Sequence, residues 1–544
     1  MMTDTTPNRN IPAEFLPKIV TVFREGYSRA DLRTDALAGL TVAIVALPLS
    51  MAIAVASGVG PERGLYTAIV GGFLVSALGG SRYQIGGPAG AFIVLVAACV
   101  MATGIEGLIT ATFLSGFLLI AAGALRLGTY IRYIPYPVTV AFTAGIGVII
   151  LVSQLKDLFG LHLPGAEPSE IVEKLGALWA ARGSVTWAAV AVAALTMALI
   201  LGFRRWRPHW PGMLIAVVAA SVLAAGLALP VETIGTRFGQ LPNLPPVPAL
   251  PVLDMATLRA ALPFAVSFAL LGAIESLLSA VVADGMSGAR HRSNAELVGQ
   301  GVANIGSALF GGFCVTGTIA RTATNVRAGS RGPVSGMLHA LFLLGAMAVA
   351  APLASYIPLA ALAGLLVVVS WGMIERAELW GLIRGSRGDA LIVAATFLLV
   401  VFRDLTEGIV TGFAIAGLVF IRRMSDAVGV EPRETEPEAA RPDRVVYHLH
   451  GPFFFGAAAQ VGAVLDRIGD RPSLFVIDFT DVPLIDSSGA HSFALLARRI
   501  ARKGGRLALA GARPEVRRVL LAQGLHPPAV HYLATPDDPV APEG

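Results

Sequence analysis

Apolar stretches long enough to enter a bilayer begin near Thr34 and end near Arg423, several of them short or interrupted by Gly and Pro. Fourteen crossings are expected, over residues 34–59, 65–78, 89–101, 106–125, 137–159, 185–203, 213–229, 262–283, 296–310, 318–328, 334–354, 358–371, 389–401 and 405–421. An even number puts both termini on one side. One set of alternate loops holds Arg82, Arg126 with Arg132, Arg204 with Arg205 and Arg207, Arg290 with Arg292, Arg327 with Arg331, and Arg376 with Arg384 and Arg387. This bias predicts that those loops and both termini are cytoplasmic, in the plasma (inner) membrane. The opposite loops include the two longest, 156–182 and 230–251, with fewer basic residues for their length.

The pattern changes after Arg422-Arg423. Residues 431–438 form a charged, proline-containing linker unsuited to a packed core. From Val445 onward, runs at 445–449, 474–479 and 507–510 read as strands, and 457–468, 489–503 and 514–523 as helices. The expected organisation is an N-terminal segment (1–33), a transmembrane domain (34–424), a linker (425–443) and a small α/β domain (444–544). At the N-terminus, residues 1–10 are polar. Residues 11–31 mix apolar side chains with Lys18, Arg24 and Arg29, the pattern of an interfacial helix and not of a cleaved signal peptide.

Composition agrees with a polytopic membrane protein: 55% hydrophobic and 14% charged residues leave too little polar surface for a soluble chain of this length. Mean hydropathy is +0.70. The net charge of +5 is spread in short clusters between apolar segments, which sets membrane orientation and argues against nucleic acid as a partner. Cys99 and Cys314 both lie in apolar stretches, so neither a disulfide framework nor a zinc site is expected. Neither a nucleophile with its base nor a phosphate-binding glycine loop is found, so no enzyme, no cofactor and no ATP-driven pump is expected.

The chemistry concentrates on Arg321, in Thr316-Gly317-Thr318-Ile319-Ala320-Arg321-Thr322, at the mouth of a short apolar segment broken by glycine. An arginine inside a bilayer costs from about 3 to more than about 10 kcal/mol, so it normally faces a protein partner or a watery site. The same neighbourhood repeats. Ser76-Ala77-Leu78-Gly79-Gly80 precedes Gly86-Gly87-Pro88-Ala89-Gly90, as Ser307-Ala308-Leu309-Phe310-Gly311-Gly312 precedes Gly317-Thr318-Ile319-Ala320-Arg321. Segments three and ten therefore read as counterparts in an inverted repeat, two half-helices whose N-termini meet and present free amides and about half a positive charge each. The alternative is that these glycines only permit close packing. Glu275 is a second intramembrane charge, read either as a proton or sodium site or as the counter-ion of Arg321. Ser279, four residues on, shares its face and is either an oxygen ligand or a back-bonded helix serine.

Further pieces carry a specific resemblance. Pro48 with Met51-Ala52, then Gly60-Pro61 with Gly64-Leu65-Tyr66, then Gly87-Pro88, then Asn294 to Asn304, and finally Glu275 with Gly317-Thr318-Ile319-Ala320-Arg321-Thr322 are together similar to the SulP family of anion transporters, the sulfate permeases related to solute carrier family 26. Nearly the whole chain is covered. The resemblance implies a 7+7 inverted repeat of fourteen transmembrane helices, with segments one to four and eight to eleven as core domain and the rest as gate domain. The anion would sit among Leu49 and Ile53 of helix one, Ala89, Gly90 and Ala91 of helix three, and Thr318, Ile319, Ala320 and Arg321 of helix ten, with Glu275 and Ser279 of helix eight as coupling residues. It also implies an elevator-like motion and a homodimer.

Departures from that pattern bear on substrate and coupling. Leu49 stands where many relatives have glutamine, Ile53 and Ala89 where they have phenylalanine, and Ala320 where they have serine. Backbone amides and Arg321 are left as the main polar recognition. Sodium-dependent bicarbonate carriers of the family have aspartate at the position of Glu275 and threonines at those of Ser279 and Ile319. An isoleucine side chain cannot ligate sodium, which points to proton-coupled symport or anion exchange. Sulfate, bicarbonate or a short dicarboxylate would each suit such a pocket. Alternatives are a channel-like or sensory protein signalling through its tail, and a nucleobase permease of the same fold, which would carry a second acidic residue where Arg321 stands.

Asp486-Ser487-Ser488-Gly489 at a strand-to-helix turn resembles the STAS domain, the cytoplasmic tail of such transporters and a site of possible protein partners. Ser488 maps to the phosphorylated serine of related anti-sigma-factor antagonists. A plain helix cap is the simpler reading. The last helix usual in the family is expected to be truncated here.

Overall fold

The computed structural model describes residues 12–131, 135–165, 167–168, 170–207, 210–403, 405–432, 444–455 and 474–539. Each of the fourteen apolar stretches falls on helix, and eight helices among the described residues are long and apolar enough to cross a membrane. In chain order the first elements are α1 (Lys18–Arg24), α2 (Arg29–Ala56), α3 (Pro61–Tyr66), α4 (Gly72–Leu78), strand β1 (Gly86–Gly87) and α5 (Ile93–Ala124). The fifth to seventh crossings are built from α6 (Gly128–Ile131), α7 (Tyr136–Ser153), α8 (Leu155–Phe159), α9 (Ile171–Ala180), α10 (Trp187–Trp206), α11 (Gly212–Gly226) and α12 (Ile234–Phe238). The second half holds α13 (Met255–Ser287), α14 (Ser293–Leu309), strand β2 (Thr316–Gly317), α15 (Ile319–Arg327) and α16 (Val334–Ala354). It closes with α17 (Leu359–Met373), α18 (Arg376–Gly385), α19 (Arg387–Phe402) and α20 (Leu405–Asp426).

Two helical layers result. Helices α2, α4, α5, α13, α14, α15 and α16 pack on one another, and α7, α10, α11, α17 and α19 form a second group, meeting the first where α11 and α17 lie on α2. Segments three and four are one helical run in α5, turned only at Gly104, whose φ of 71° a residue with a side chain rarely adopts.

The inverted repeat is written in hydrogen bonds. β1 pairs antiparallel with β2, Gly86 opposite Gly317 and Gly87 opposite Thr316. Thr318 N–H adds a bond to the Ile85 carbonyl at 2.9 Å. The repeat partners Ser76 and Ser307 each donate to a carbonyl of the segment that follows, Gln84 at 3.2 Å and Phe313 at 2.7 Å. Gly80 and Gly311, another repeat pair, are held by opposite charges. Glu296 accepts from the amides of Gly80 and Ser81 at 2.8 and 2.9 Å, whereas Arg63 donates to the Gly311 carbonyl at 2.6 Å. Each charge therefore satisfies backbone groups that cannot reach water inside a membrane.

The N-terminal segment is tied to the helical domain. Lys18 N–H donates to the Gly79 carbonyl, Arg292 donates to the Leu16 carbonyl and the Thr21 hydroxyl at 2.8 Å each, and Val22 is buried. Arg82 pairs with Glu25, so two of the basic loops lie on the face that carries this segment. The two long opposite loops are joined by Arg237 to Asp157 at 2.8 Å, which places them on one face as well. Arg132 and residues 1–10 lie outside the described residues.

A second compact unit spans Ala414–Gly544. Its five-stranded sheet runs β3 (Gly429–Pro432), β4 (Arg444–His450), β5 (Leu474–Asp481), β6 (Arg506–Ala510) and β7 (His531–Leu533). β3 is antiparallel and the rest are parallel. The expected linker therefore starts inside α20 and continues into sheet, and β3 is an edge strand, the place in a sheet where a proline such as Pro432 is tolerated. Residues 433–443 and the expected helix at 457–468 lie outside the described residues. Phe493, on the helix Ser487–Arg502, packs on Phe453 and Phe479 to form this unit's core.

Candidate functional site

Arg321 lies in the first turn of α15, one turn after the extended β2, because Gly317 and Thr318 hold the chain against β1 and release it into helix at Ile319. Its side chain is buried at 2% exposure. Nη2 donates to Ser50 Oγ of α2 at 3.2 Å and to the Pro88 carbonyl at 3.3 Å. Nη1 and Nε have no hydrogen-bond partner among the described residues. Gly87 lies beneath it, where a Cβ would run into Nη1. Pro48 removes one amide from α2 just before Leu49 and Ser50, loosening the helix where it faces Arg321.

The two half-helices open toward one another as the repeat predicts. The helical turn after β1 begins at Gly90 with Ala89 as its extended cap, and α15 begins at Ile319 with Thr318 as cap. Neither cap side chain closes its helix, because alanine has no acceptor and the Thr318 hydroxyl donates to the Ile85 carbonyl. The amides of Ile319, Ala320 and Arg321 have no protein acceptor among the described residues. Free amides and a half-free guanidinium thus share one place, an arrangement suited to an anion.

Leu49, Ile53, Ala89 and Ala91 are buried, Gly90 and Ile319 are partly exposed, and Ala320 is exposed. Gly90 approaches Ile150 of α7 and Met373 of α17, so the second helical layer faces the half-helix here. A separate apolar cavity of about 430 Å³ runs along α2, α11 and α16 past Leu47, Pro48 and Met51, and Arg321 does not line it.

Helix α13 is fastened behind the site, which alters the reading of its residues. Ser279 Oγ donates to Thr322 Oγ1 at 3.0 Å, and the Ser276 and Thr316 hydroxyls meet at 2.8 Å. Ser279 is thus committed to α15. Glu275 is half-buried and forms no ion pair with Arg321, so the counter-ion arrangement is absent from this structure. Two hydroxyl pairs join α13 to β2 and α15, where the counter-ion reading had placed an ion pair.

Several residues to which sequence reasoning gave no role of their own hold the site. Asn304 pairs with both the N–H and the C=O of Val315 at 3.1 and 3.0 Å, and Asn325 donates to the Tyr83 carbonyl at 2.9 Å. Buried Asp35 accepts from Tyr27 Oη and the Arg331 amide at 2.6 Å each, tying α2 to the loop after α15.

In the second unit, Ser488 is exposed in the first turn of its helix, and the cap is Asp486, which accepts from the Gly489 amide at 2.7 Å. His448 stands between Asp478, at 3.0 Å from Nδ1, and Asp481, at 2.9 Å from Nε2. The hydrogen bond to Asp478, then that to Asp481, raises its pKa above the ordinary histidine value.

Comparison with known proteins agrees with this architecture. The model of the sulfate permease family matches residues 32–396, and that of the STAS domain matches residues 436–529. The putative sulfate transporter YvdB of Bacillus subtilis is 38% identical over 513 residues, covering 92% of this chain and 95% of the relative. The bicarbonate transporter BicA of Picosynechococcus is 30% identical over 521 residues, covering 90% of each. In fold, the chain is similar to the inward-facing murine Solute Carrier 26 family member A9 anion transporter, with a TM-score of 0.85 at 18% identity over 96% of this chain and 93% of that one.

Proposed function

Because this chain belongs to the sulfate permease family of membrane anion transporters and ends in a STAS domain, we propose that it is a secondary active carrier of a small anion held at Arg321. The observation that carries this reading is the guanidinium with free Nη1 and Nε beside the unpaired first-turn amides of α15. Sulfate and bicarbonate are the favoured substrates, since relatives bearing those names align over nine-tenths of the chain. Leu49, Ile53, Ala89 and Ala91 supply a dry, small-walled enclosure, and Gly90 with Ile319 and Ala320 supplies backbone. Thr318 shapes the turn.

Transport would move α2, α5, α13 and α15 as one body past α7 and α17, with both termini cytoplasmic in the plasma membrane and the carrier acting as a homodimer. The hydroxyl and glycine links within the first helical layer support motion as a unit. Proton-coupled symport or anion exchange is favoured over sodium coupling, because Ile319 offers no side-chain oxygen. Glu275 would be the carboxylate that binds the proton. The test is uptake of radiolabelled sulfate, bicarbonate and succinate into proteoliposomes with a proton gradient, a sodium gradient or a trans anion imposed in turn. Proton-driven uptake that Glu275→Gln abolishes supports symport through that residue. Uptake requiring only a trans anion marks an exchanger.

A further inference from the structure

His339 is a titratable group that neither the repeat nor the proposed carrier function uses. It lies on α16 with no exposed surface, and neither ring nitrogen has a hydrogen-bond partner among the described residues. The Gly39 backbone of α2 comes into weak polar contact with it, without hydrogen-bond geometry. Neutral imidazole offers one donor and one acceptor, and leaving both unmade in a core is costly.

The neighbourhood is polar and equally unpaired. One turn before His339, Gly336 sits against Ser76 and Ile85. Adjacent Gln84 is 2% exposed, its two side-chain polar atoms both lack partners, and it presses on Gly317. Asn325 joins Ser335 of α16 through Nδ2 and leaves Oδ1 unpaired. Arg321, one turn before Asn325 on the same helix, contributes the unpaired Nε and Nη1. The Asn325–Ser335 bond joins the two helices that carry most of these unpaired atoms, and buried polar atoms without protein partners are the kind that ordered water satisfies.

We propose that His339 is a proton-binding residue linked to the anion site, taking a proton from water onto a free ring nitrogen when an anion occupies Arg321. This rests on the carrier reading above. A second positive charge beside Arg321 is repelled, and a bound anion removes that repulsion. By linkage, protonation of His339 then tightens anion binding by the same factor. The other charged groups around it do not substitute. Asp35 of α2 is engaged by Tyr27 and the Arg331 amide, Arg63 of α3 by the Gly311 carbonyl, and α3 also carries Glu62 and Tyr66. α4 and the segment Thr67–Gly71 bring no titratable side chain, and His339 is alone in α16.

The experiment is hydrogen–deuterium exchange at histidine C2, read by mass spectrometry on the full chain across a pH series, with and without sulfate, in wild type and Arg321→Ala. His339 is expected to exchange with a sigmoidal pH dependence whose midpoint rises by about one unit with sulfate in wild type only. Exchange independent of pH overturns the proposal. So does an unmoved midpoint under conditions where sulfate raises the Tm of wild type over Arg321→Ala. Sulfate, bicarbonate and succinate all failing to raise that Tm would overturn the carrier site itself, and the linkage with it. In proteoliposomes, His339→Gln or His339→Asn should flatten the proton-gradient response of uptake at least about tenfold, whereas full retention in a folded variant counts against it.

Discussion

Arg321 Nη2 donates to Ser50 Oγ at 3.2 Å across 271 positions of sequence. One arm of the fork is thereby fixed to α2 while the other arm stays free. Replacing Arg321 by Lys keeps the charge and loses the fork, so a lysine must choose between Ser50 and the anion. Uptake by Arg321→Lys should fall at least about tenfold, and Ser50→Ala should fall less, with the loss in KM rather than in protein yield. Equal uptake by wild type and Arg321→Lys would show that charge alone suffices.

Gly87→Ala separates function from stability. The added methyl meets Nη1, the far end of a flexible side chain that can move aside. Stability should drop by no more than about 1–2 kcal/mol, while uptake falls more than about tenfold because the guanidinium has shifted. A variant that unfolds at wild-type temperature and transports at the wild-type rate contradicts this geometry.

Asn304→Leu makes the opposite prediction. Loss of the amide strips Val315 N–H and C=O of partners inside the core, at about 1–3 kcal/mol for each buried orphan. Thermal unfolding in detergent should begin several degrees lower, and residual uptake should retain its substrate order.

His448 gives the STAS unit a pH dependence of known sign. Its folded pKa is raised by Asp478 and then Asp481, so its contribution to stability is complete below the ordinary value of 6.5 and fades as pH climbs through the folded value. Amide exchange at β4 and the end of β5 in the full chain should quicken between about pH 6 and pH 8 beyond the intrinsic base-catalysed rise. His448→Gln should abolish that excess, and a wild-type excess in the variant would argue against the bridge.

Much of this arrangement was legible because it is local. Glycine runs before segments three and ten marked the entries to the two half-helices, and Gly86 and Gly317, matched by repeat alone, are opposite one another in the β1–β2 ladder. Arg321 stood out by its cost in a membrane. The rest depends on which side of a helix meets which neighbour. Glu275 was a plausible counter-ion only while the rotation of α13 was unknown; Ser276 and Ser279 are the residues that bond toward β2 and α15. Likewise His448 meets Asp478 because strand pairing sets them opposite each other, a register no spacing within β4 reveals.

The glycine ladder also sets a timetable for biosynthesis. Ile85 and Thr318 lie 233 residues apart. At about 5–20 residues per second, a ribosome takes on the order of ten to fifty seconds to cover that interval. Throughout it, Gly86 and Gly87 are strand without a partner, and each unpaired backbone group in hydrocarbon costs several kcal/mol. The expected consequence is that the first repeat stays at the lipid–water boundary until the tenth segment emerges, and that a chain cut short before Thr316 leaves these backbone groups unpaired.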